Sequence, residues 1–110
     1  MAAVLFVRVA SDLDPDELER RALERVPRFR QVHGLVQKIY GRDRETGGLC
    51  GIYFFESDEA LAAYRETELA RTIPSAYEAT EVRPEAYEVL FPLWPGRGPL
   101  ADEASAPAEP

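Results

Sequence analysis

The sequence predicts a single α+β domain whose strands and helices follow the order βαββαβ. Its length of 110 residues is typical of one domain. Four runs rich in β-branched and aromatic residues indicate strands, and two amphipathic segments with capping residues at their starts indicate helices. Crossover connections are right-handed and the two central strands share a short turn. This order therefore predicts a four-stranded antiparallel sheet with both helices on one face.

The first strand and the first helix occupy the N-terminal part of the chain. Residues 3 to 9 read AVLFVRV, which is typical of a strand. At the helix start, Asp14 can cap the free amides and Pro15 suits the first helical position. Pro27 should end this helix, because a proline in the interior of a helix removes a hydrogen bond and clashes with the preceding turn.

The two central strands form a predicted β-hairpin. Residues 34 to 42 and residues 49 to 56 are strand-like, and the segment between them contains turn-forming aspartate and glycine. If residues 44 to 47 form the loop, each residue of one strand has a defined partner on the other. The expected pairs are Asp43 with Gly48, Lys38 with Tyr53, Ile39 with Ile52, and Tyr40 with Gly51. A β-bulge would change this register.

The second helix and the last strand complete the predicted domain. Ser57 can cap a helix with its hydroxyl, and this helix should end before Pro74. The last strand is expected to start at about Glu81 or Ala86 and to reach Phe91.

Composition restricts the class of protein. The net charge is −7, and the cations are not clustered, which disfavours nucleic-acid binding. No signal peptide or membrane-spanning run is evident. Cys50 is the sole cysteine, so no internal disulfide is expected, and a cytoplasmic location fits. Residues 94 to 110 are rich in proline, alanine and acidic residues, and we expect a disordered tail after a domain of residues 1 to 93.

The two faces of the sheet differ in character. On the expected register, one face of the hairpin is aliphatic and should meet the helices, and it carries Leu35, Ile39, Cys50, Ile52 and Phe54. The opposite face is more aromatic, and it carries Val36, Lys38, Tyr40, Tyr53 and Phe55. Large exposed apolar patches usually mark an interaction surface. We therefore expect a homodimer in which two sheets pack face to face around an interior lined by tyrosine, phenylalanine and a few cations.

Five short segments are distinctive: G-L-x-x-K-x-Y at Gly34, D-x-x-T-G at Asp43, G-I-Y-x-F at Gly51, the helix start at Ser57, and YEVLFPL near the C-terminus. Together they resemble the corresponding segments of the YdhR-like monooxygenases in the dimeric α/β-barrel superfamily. The resemblance implies a ferredoxin-like fold, a homodimer and a cavity between the sheet and the helices. Some members of that superfamily oxidise quinols or aromatic polyketides without a cofactor.

Haem degradation, which other proteins of the superfamily perform, is disfavoured for this chain. The haem degraders use asparagine, tryptophan and a histidine on the second helix. Here asparagine is missing from the sequence, the one tryptophan is Trp94 beyond the last strand, and no histidine follows His33. We expect no cofactor and no metal site, since one histidine and one cysteine cannot supply a usual set of metal ligands.

Lys38, Tyr40 and His33 are the candidate catalytic residues. Lys38 could stabilise a phenolate if it points into the barrel, with Tyr40 and Tyr53 as hydrogen-bonding neighbours, or it could be a cation at a dimer edge. His33 could be a general base at the mouth of the cavity, or an exposed loop histidine. The candidate substrate-binding residues are Phe6, Arg8, Val36, Tyr53, Phe55 and Tyr64.

Three functions are compatible with a cavity lined by tyrosine and lysine. The first is a cofactor-independent monooxygenase that oxidises a small electron-rich aromatic, such as a phenol, a hydroquinone or a polyketide-like compound, with O₂. The second is a non-catalytic homodimer that binds a small ligand. The third is an isomerase or cyclase that uses the same groups without oxygen. Fold alone does not decide among them.

Overall fold

Four antiparallel strands form one sheet in the order β2-β3-β1-β4, and the longer helices pack on one of its faces. The structure is a computed structural model and describes residues 2–96. Its elements are β1 (Ala3–Ser11), α1 (Pro15–Phe29), β2 (Leu35–Arg42), β3 (Leu49–Phe55), α2 (Asp58–Arg65), α3 (Glu68–Arg71), α4 (Ile73–Ala76) and β4 (Ala79–Glu88). The predicted ferredoxin-like α+β fold is confirmed. The predicted tail, from residue 97 onward, lies outside the described residues.

Helix α1 starts where the sequence predicts but does not stop at Pro27. Asp14 Oδ1 accepts a hydrogen bond from the amide of Asp16 at 2.9 Å, and Pro15 occupies the first turn. The helix then passes through Pro27 and ends at Phe29, so the predicted end was wrong. The side chain of Phe29 is buried. Burying such a side chain contributes about 1.5–3 kcal/mol, which is comparable to the roughly 3 kcal/mol cost of an interior proline.

All four residue pairs predicted for the hairpin are confirmed. Lys38 lies opposite Tyr53, and Tyr40 lies opposite Gly51. Asp43 organises the turn, because its Oδ1 accepts hydrogen bonds from the amides of Glu45 and Thr46 at 2.8 and 3.2 Å. The register shifts between residues 35 and 37, so a bulge interrupts the start of β2.

The second half of the chain departs from prediction at its end. Ser57 Oγ accepts a hydrogen bond from the amide of Ala60 at 3.0 Å, which confirms the predicted cap of α2. β4 ends at Glu88, earlier than the predicted end at Phe91. β4 is an edge strand, and some amides of an edge strand have no partner in the sheet. Pro84, which has no amide hydrogen to donate, is therefore tolerated within it.

The assignment of the two sheet faces was wrong for the hairpin residues after the bulge and is reversed there, whereas Leu35, before the bulge, packs against the helix-side core as expected. Tyr53 and Phe55, which we expected on the uncovered face, are 2% and 1% exposed and pack under the helices. Small residues such as Ala22 and Ala60 face the sheet from the helices, so the aromatic rings fill the space that remains. The half-buried residues of the uncovered face are instead Val4, Phe6, Ile39, Ile52 and Phe54.

No helix among the described residues is both long enough and apolar enough to span a membrane.

Candidate functional site

The candidate site surrounds the amine of Lys38, between the sheet and the helices. Lys38 Nζ lies 3.4 Å from the ring centroid of Phe29 and 4.3 Å from the centroids of both Tyr40 and Tyr53. Side chains two residues apart on a strand share a face, which places Lys38 and Tyr40 together on β2. The pairing with β3 adds Tyr53, and the last turn of α1 adds Phe29.

Gly51 leaves room for this arrangement. A methyl group at Gly51 would lie 3.1 Å from Lys38 Cε and 3.1 Å from Tyr53 Cε1, closer than ordinary van der Waals contact. A larger residue at this position would push the lysine or the tyrosine ring aside. The glycine on β3 is therefore part of what positions the amine.

Tyrosine hydroxyls line the inner side of the site. The hydroxyls of Tyr64 and Tyr53 share a buried hydrogen bond of 3.2 Å, and their ring centroids are 5.2 Å apart. The hydroxyl of Tyr40 is buried and has no hydrogen-bond partner among the described residues. Because a buried hydroxyl normally has a partner, Tyr40 is the group best placed to bond to a ligand.

Arg25 brings a second cation close to Lys38. Its guanidinium carbon lies 5.8 Å from the ring centroids of both Phe29 and Tyr77. One of its nitrogens, Nη2, donates to the carbonyl oxygen of Leu69 at 2.8 Å, while Nε is buried and has no partner among residues 2–96. Arg25 is thus held from α1 by contacts with α3 and with aromatic rings.

Burial lowers the pKa of Lys38 from its ordinary value of 10.5 to about 6, and the charge of Arg25 contributes to the same shift. The three ring faces around Nζ attract its cationic form and oppose the shift. Burial raises the pKa of Tyr40, Tyr53 and Tyr64, so these hydroxyls keep their protons at neutral pH. The site therefore combines a largely neutral amine with neutral tyrosine donors.

An open cleft between α1 and β2 leads from the surface to this amine. It encloses about 1100 Å³ and is lined by apolar residues of α1, such as Leu18 and Val26, and by residues 35 to 42. Lys38, Tyr40 and Phe29 line both this cleft and a smaller void of about 10 Å³ behind it. The cleft is large enough for a small aromatic ligand, whose usual sites enclose roughly 300–1,000 Å³.

Comparison with known proteins identifies the family. The family described as "Putative mono-oxygenase ydhR" matches residues 4–94. The chain belongs to the ydhR family. This confirms the resemblance seen in its motifs. No curated protein sequence matches the chain.

Solved structures show the same fold at low sequence identity. SnoaB, a cofactor-independent oxygenase from Streptomyces nogalater, has a TM-score of 0.69 and 14% identity, over 84% of this chain and 96% of SnoaB. NE2512, a protein of unknown function from Nitrosomonas europaea, has a TM-score of 0.69 and 15% identity, over 87% and 96% of the two chains. A "putative antibiotic biosynthesis monooxygenase" from Deinococcus radiodurans has a TM-score of 0.67 and 14% identity, over 84% and 96%.

In this ydhR family member, four of the predicted site residues come together. They are Lys38, Tyr40, Tyr53 and Tyr64. Phe55 is buried beside them and stacks on Tyr53 at 6.1 Å between centroids. Val36 is 67% exposed and lies on the wall of the cleft.

Three predicted site residues lie elsewhere. Phe6 and Arg8 are on the uncovered face of the sheet, where the Arg8 guanidinium lies 5.0 Å from the Phe6 ring centroid. Their expected position beside Lys38 is corrected by the reversal of the two faces. His33 is exposed in the turn between α1 and β2 and does not line the cleft.

Sequence analysis missed Arg25, Phe29 and Tyr77. A signal for the first two was present, because Leu18, Ala22, Arg25 and Phe29 follow the three- and four-residue spacing of one helix face. The assumed helix end at Pro27 hid this pattern. Among residues 2–96, no group of three or more histidine, cysteine, aspartate or glutamate side chains is placed to hold a metal ion.

Proposed function

We propose that this ydhR family member is a cofactor-independent monooxygenase that oxidises a small electron-rich aromatic compound in the cleft between α1 and β2. The observation that carries the proposal is the Lys38 amine, held among three aromatic rings where it lines the cleft. The family match supports oxygenase chemistry. The rings around Lys38 favour a flat, aromatic substrate.

Lys38 would act first as a general base. Its pKa of about 6 leaves most of the amine unprotonated at neutral pH, so it can accept a proton from a phenolic or enolic hydroxyl. An ordinary phenol has a pKa of about 10, so this transfer is uphill unless the ion pair of ammonium and phenolate is stabilised. Substrates whose anion is delocalised over fused rings or a carbonyl are therefore favoured.

The oxygen step then follows from the substrate anion. The anion gives one electron to O₂, and the resulting radical and superoxide combine to form a peroxide at a ring carbon. Loss of water from this peroxide leaves a carbonyl. For a ring methylene, the carbon loses two hydrogens and gains one oxygen, and the second oxygen atom leaves in the water. The Lys38 ammonium would stabilise superoxide and return its proton.

We also propose a homodimer. Its two subunits would pack through the uncovered face of the sheet and not through the face that carries Tyr53 and Phe55. Phe6, Ile39, Ile52 and Phe54 form an apolar surface that no helix of the described residues covers. Two such surfaces packed face to face would bury them. The cleft, which lies on the helix side, would stay open in that dimer.

Oxygen uptake tests the function directly. Wild-type protein and Lys38→Met are compared on a panel of hydroquinones and anthrones, with a chelator present throughout. Methionine keeps the length of the lysine stem and removes its amine. Loss of a charge-assisted hydrogen bond to the anion should lower kcat/KM roughly ten- to a hundredfold. His33→Gln is the matched control, and it should retain full activity because His33 lies outside the cleft.

The other outcomes identify the alternative functions. Product formed under nitrogen would indicate an isomerase or cyclase. A ligand that binds in the cleft without turnover would indicate a binding protein. An equal rate of oxygen uptake in wild type and Lys38→Met would contradict the role proposed for the amine.

A further inference from the structure

Lys38 is the one lysine of the chain, so apart from the backbone α-amine it is the only primary amine. Its Nζ contacts the ring faces of Phe29, Tyr40 and Tyr53. Within the part of the chain that the structure describes, no carboxylate forms an ion pair with it, and no group forms a hydrogen bond with it. The three ring faces favour its protonated form, but no ion pair or hydrogen bond holds the proton on this amine.

The cleft gives a small molecule access to this amine. Lys38 lines the open cleft between α1 and β2. Gly51 places no side chain beside it, since a methyl group there would lie only 3.1 Å from Lys38 Cε. Tyr40 lines the same cleft, and its hydroxyl is buried without a partner among residues 2–96. Lys38 Nζ lies 4.3 Å from the Tyr40 ring centroid, so a nucleophile and a residue that carries a hydroxyl proton are neighbours at this cleft.

We propose that Lys38 is a covalent binding site for small aromatic aldehydes and ketones, which it captures as an imine. Nζ adds to the carbonyl carbon, and the Tyr40 hydroxyl relays a proton from the nitrogen to the carbonyl oxygen, which gives a carbinolamine. The hydroxyl of this intermediate leaves as water when the carbon–nitrogen double bond forms. One water is released and no electrons are transferred. The capture uses the cleft of the proposed monooxygenase but needs no oxygen, so the two activities can fail separately.

The charges around the amine favour this reaction at neutral pH. Burial, helped by Arg25 of α1, lowers the pKa of Lys38 to about 6. The other titratable groups around it are Tyr40 of β2, Tyr53 of β3 and Tyr77 after α4. Tyr64 of α2 lies behind Tyr53. Burial raises the pKa of all four tyrosines, so they remain neutral. An exposed lysine with a pKa near 10.4 has only about one amine in several thousand unprotonated at pH 7.

Reductive trapping tests the proposal. The full chain is incubated under nitrogen at pH 7 with 2-hydroxybenzaldehyde and sodium cyanoborohydride, and the labelled site is identified by peptide mass spectrometry. The matched control is Arg44→Lys, which introduces an ordinary lysine in the exposed turn of the hairpin while Lys38 stays in place. We expect Lys38 to be labelled at least about tenfold faster than the lysine introduced at position 44.

Two further variants separate a reactive site from a merely accessible one. Lys38→Met should lose all side-chain labelling and keep only that of the α-amine. Tyr40→Phe, which keeps the ring, should slow the labelling of Lys38 and leave that of the position-44 lysine unchanged. Labelling of Lys38 should also fall as the pH drops below about 6, where its amine becomes protonated. Labelling at position 44 that equals or exceeds labelling of Lys38 would overturn the proposal.

Discussion

Replacing Lys38 with methionine should make the fold more stable at neutral pH, even though it removes the proposed catalytic base. Burial lowers the pKa of Lys38 from 10.5 to about 6. Between these two pH values the unfolded chain binds one proton more than the folded chain. The free energy of unfolding therefore rises with pH across this window, by about 1.4 kcal/mol per pH unit. Methionine, which has no proton to lose, removes that dependence.

The difference between the folded and unfolded pKa values of Lys38 also sets the size of the stability gain. At pH 7 the upper bound on the penalty of burying Lys38 is about 5 kcal/mol. The side chain is only partly buried by surface area, and three aromatic ring faces attract its ammonium form. Both effects reduce the penalty, so we expect Lys38→Met to raise the free energy of unfolding by about 1–3 kcal/mol at pH 7. This advantage should shrink as the pH approaches 10.

Urea denaturation followed by fluorescence measures the effect at pH 6, 7, 8 and 9. Protein concentration must be held constant, because dimerisation would change the apparent stability. The control is Arg44→Met, which also replaces a cation with methionine but in the exposed hairpin turn. It should change stability by less than about 0.5 kcal/mol. Two results would refute the claim that the buried Lys38 amine is neutral. One is a lower free energy of unfolding for Lys38→Met than for wild type at pH 7, and the other is a difference in this free energy that does not vary with pH.

Four further predictions concern the dimer, the site, the cap of α2 and the C-terminal residues. Phe54→Glu places a charge on the uncovered face and should give a monomer by light scattering, whereas a wild-type protein that is already a monomer at high concentration would contradict the dimer. Gly51→Ala brings a methyl group within 3.1 Å of Lys38 Cε and should lower oxygen uptake with little loss of secondary structure by circular dichroism. Ser57→Ala removes the cap of α2 and should cost about 1 kcal/mol in urea denaturation. Deletion from Ala101 onward should leave the melting temperature almost unchanged, and a drop of several degrees would mean that those residues dock.

The helix caps and the hairpin register could be predicted from the sequence. Ser57 and Asp14 cap their helices through hydrogen bonds that depend only on nearby residues. The turn at Asp43 determines the hairpin register, so the pairing of Lys38 with Tyr53 could be predicted by counting residues outward from that turn. These features are determined within a few residues along the chain.

Two features that depend on packing between distant elements could not be predicted from the sequence: the sheet face that meets the helices, and the position of Arg25. Both faces of the hairpin carry apolar residues, so alternation could not decide which one meets the helices, and the large rings of Tyr53 and Phe55 were assigned to the wrong side. The sequence analysis did not select Arg25. Its position became evident only when α1 proved to continue through Pro27 and to bury Phe29.

The protonation state of Lys38 underlies both the proposed oxygenase and the imine site, and NMR measures it directly. Because the chain has one lysine, labelling with lysine enriched in ¹³C at Cε gives one side-chain resonance whose shift reports the titration of Nζ. We predict a midpoint near pH 6, as expected for an amine buried among aromatic rings beside Arg25. A midpoint near 10.5, the ordinary value for lysine, would show that the amine stays protonated at neutral pH and would contradict its role as a base and as a nucleophile.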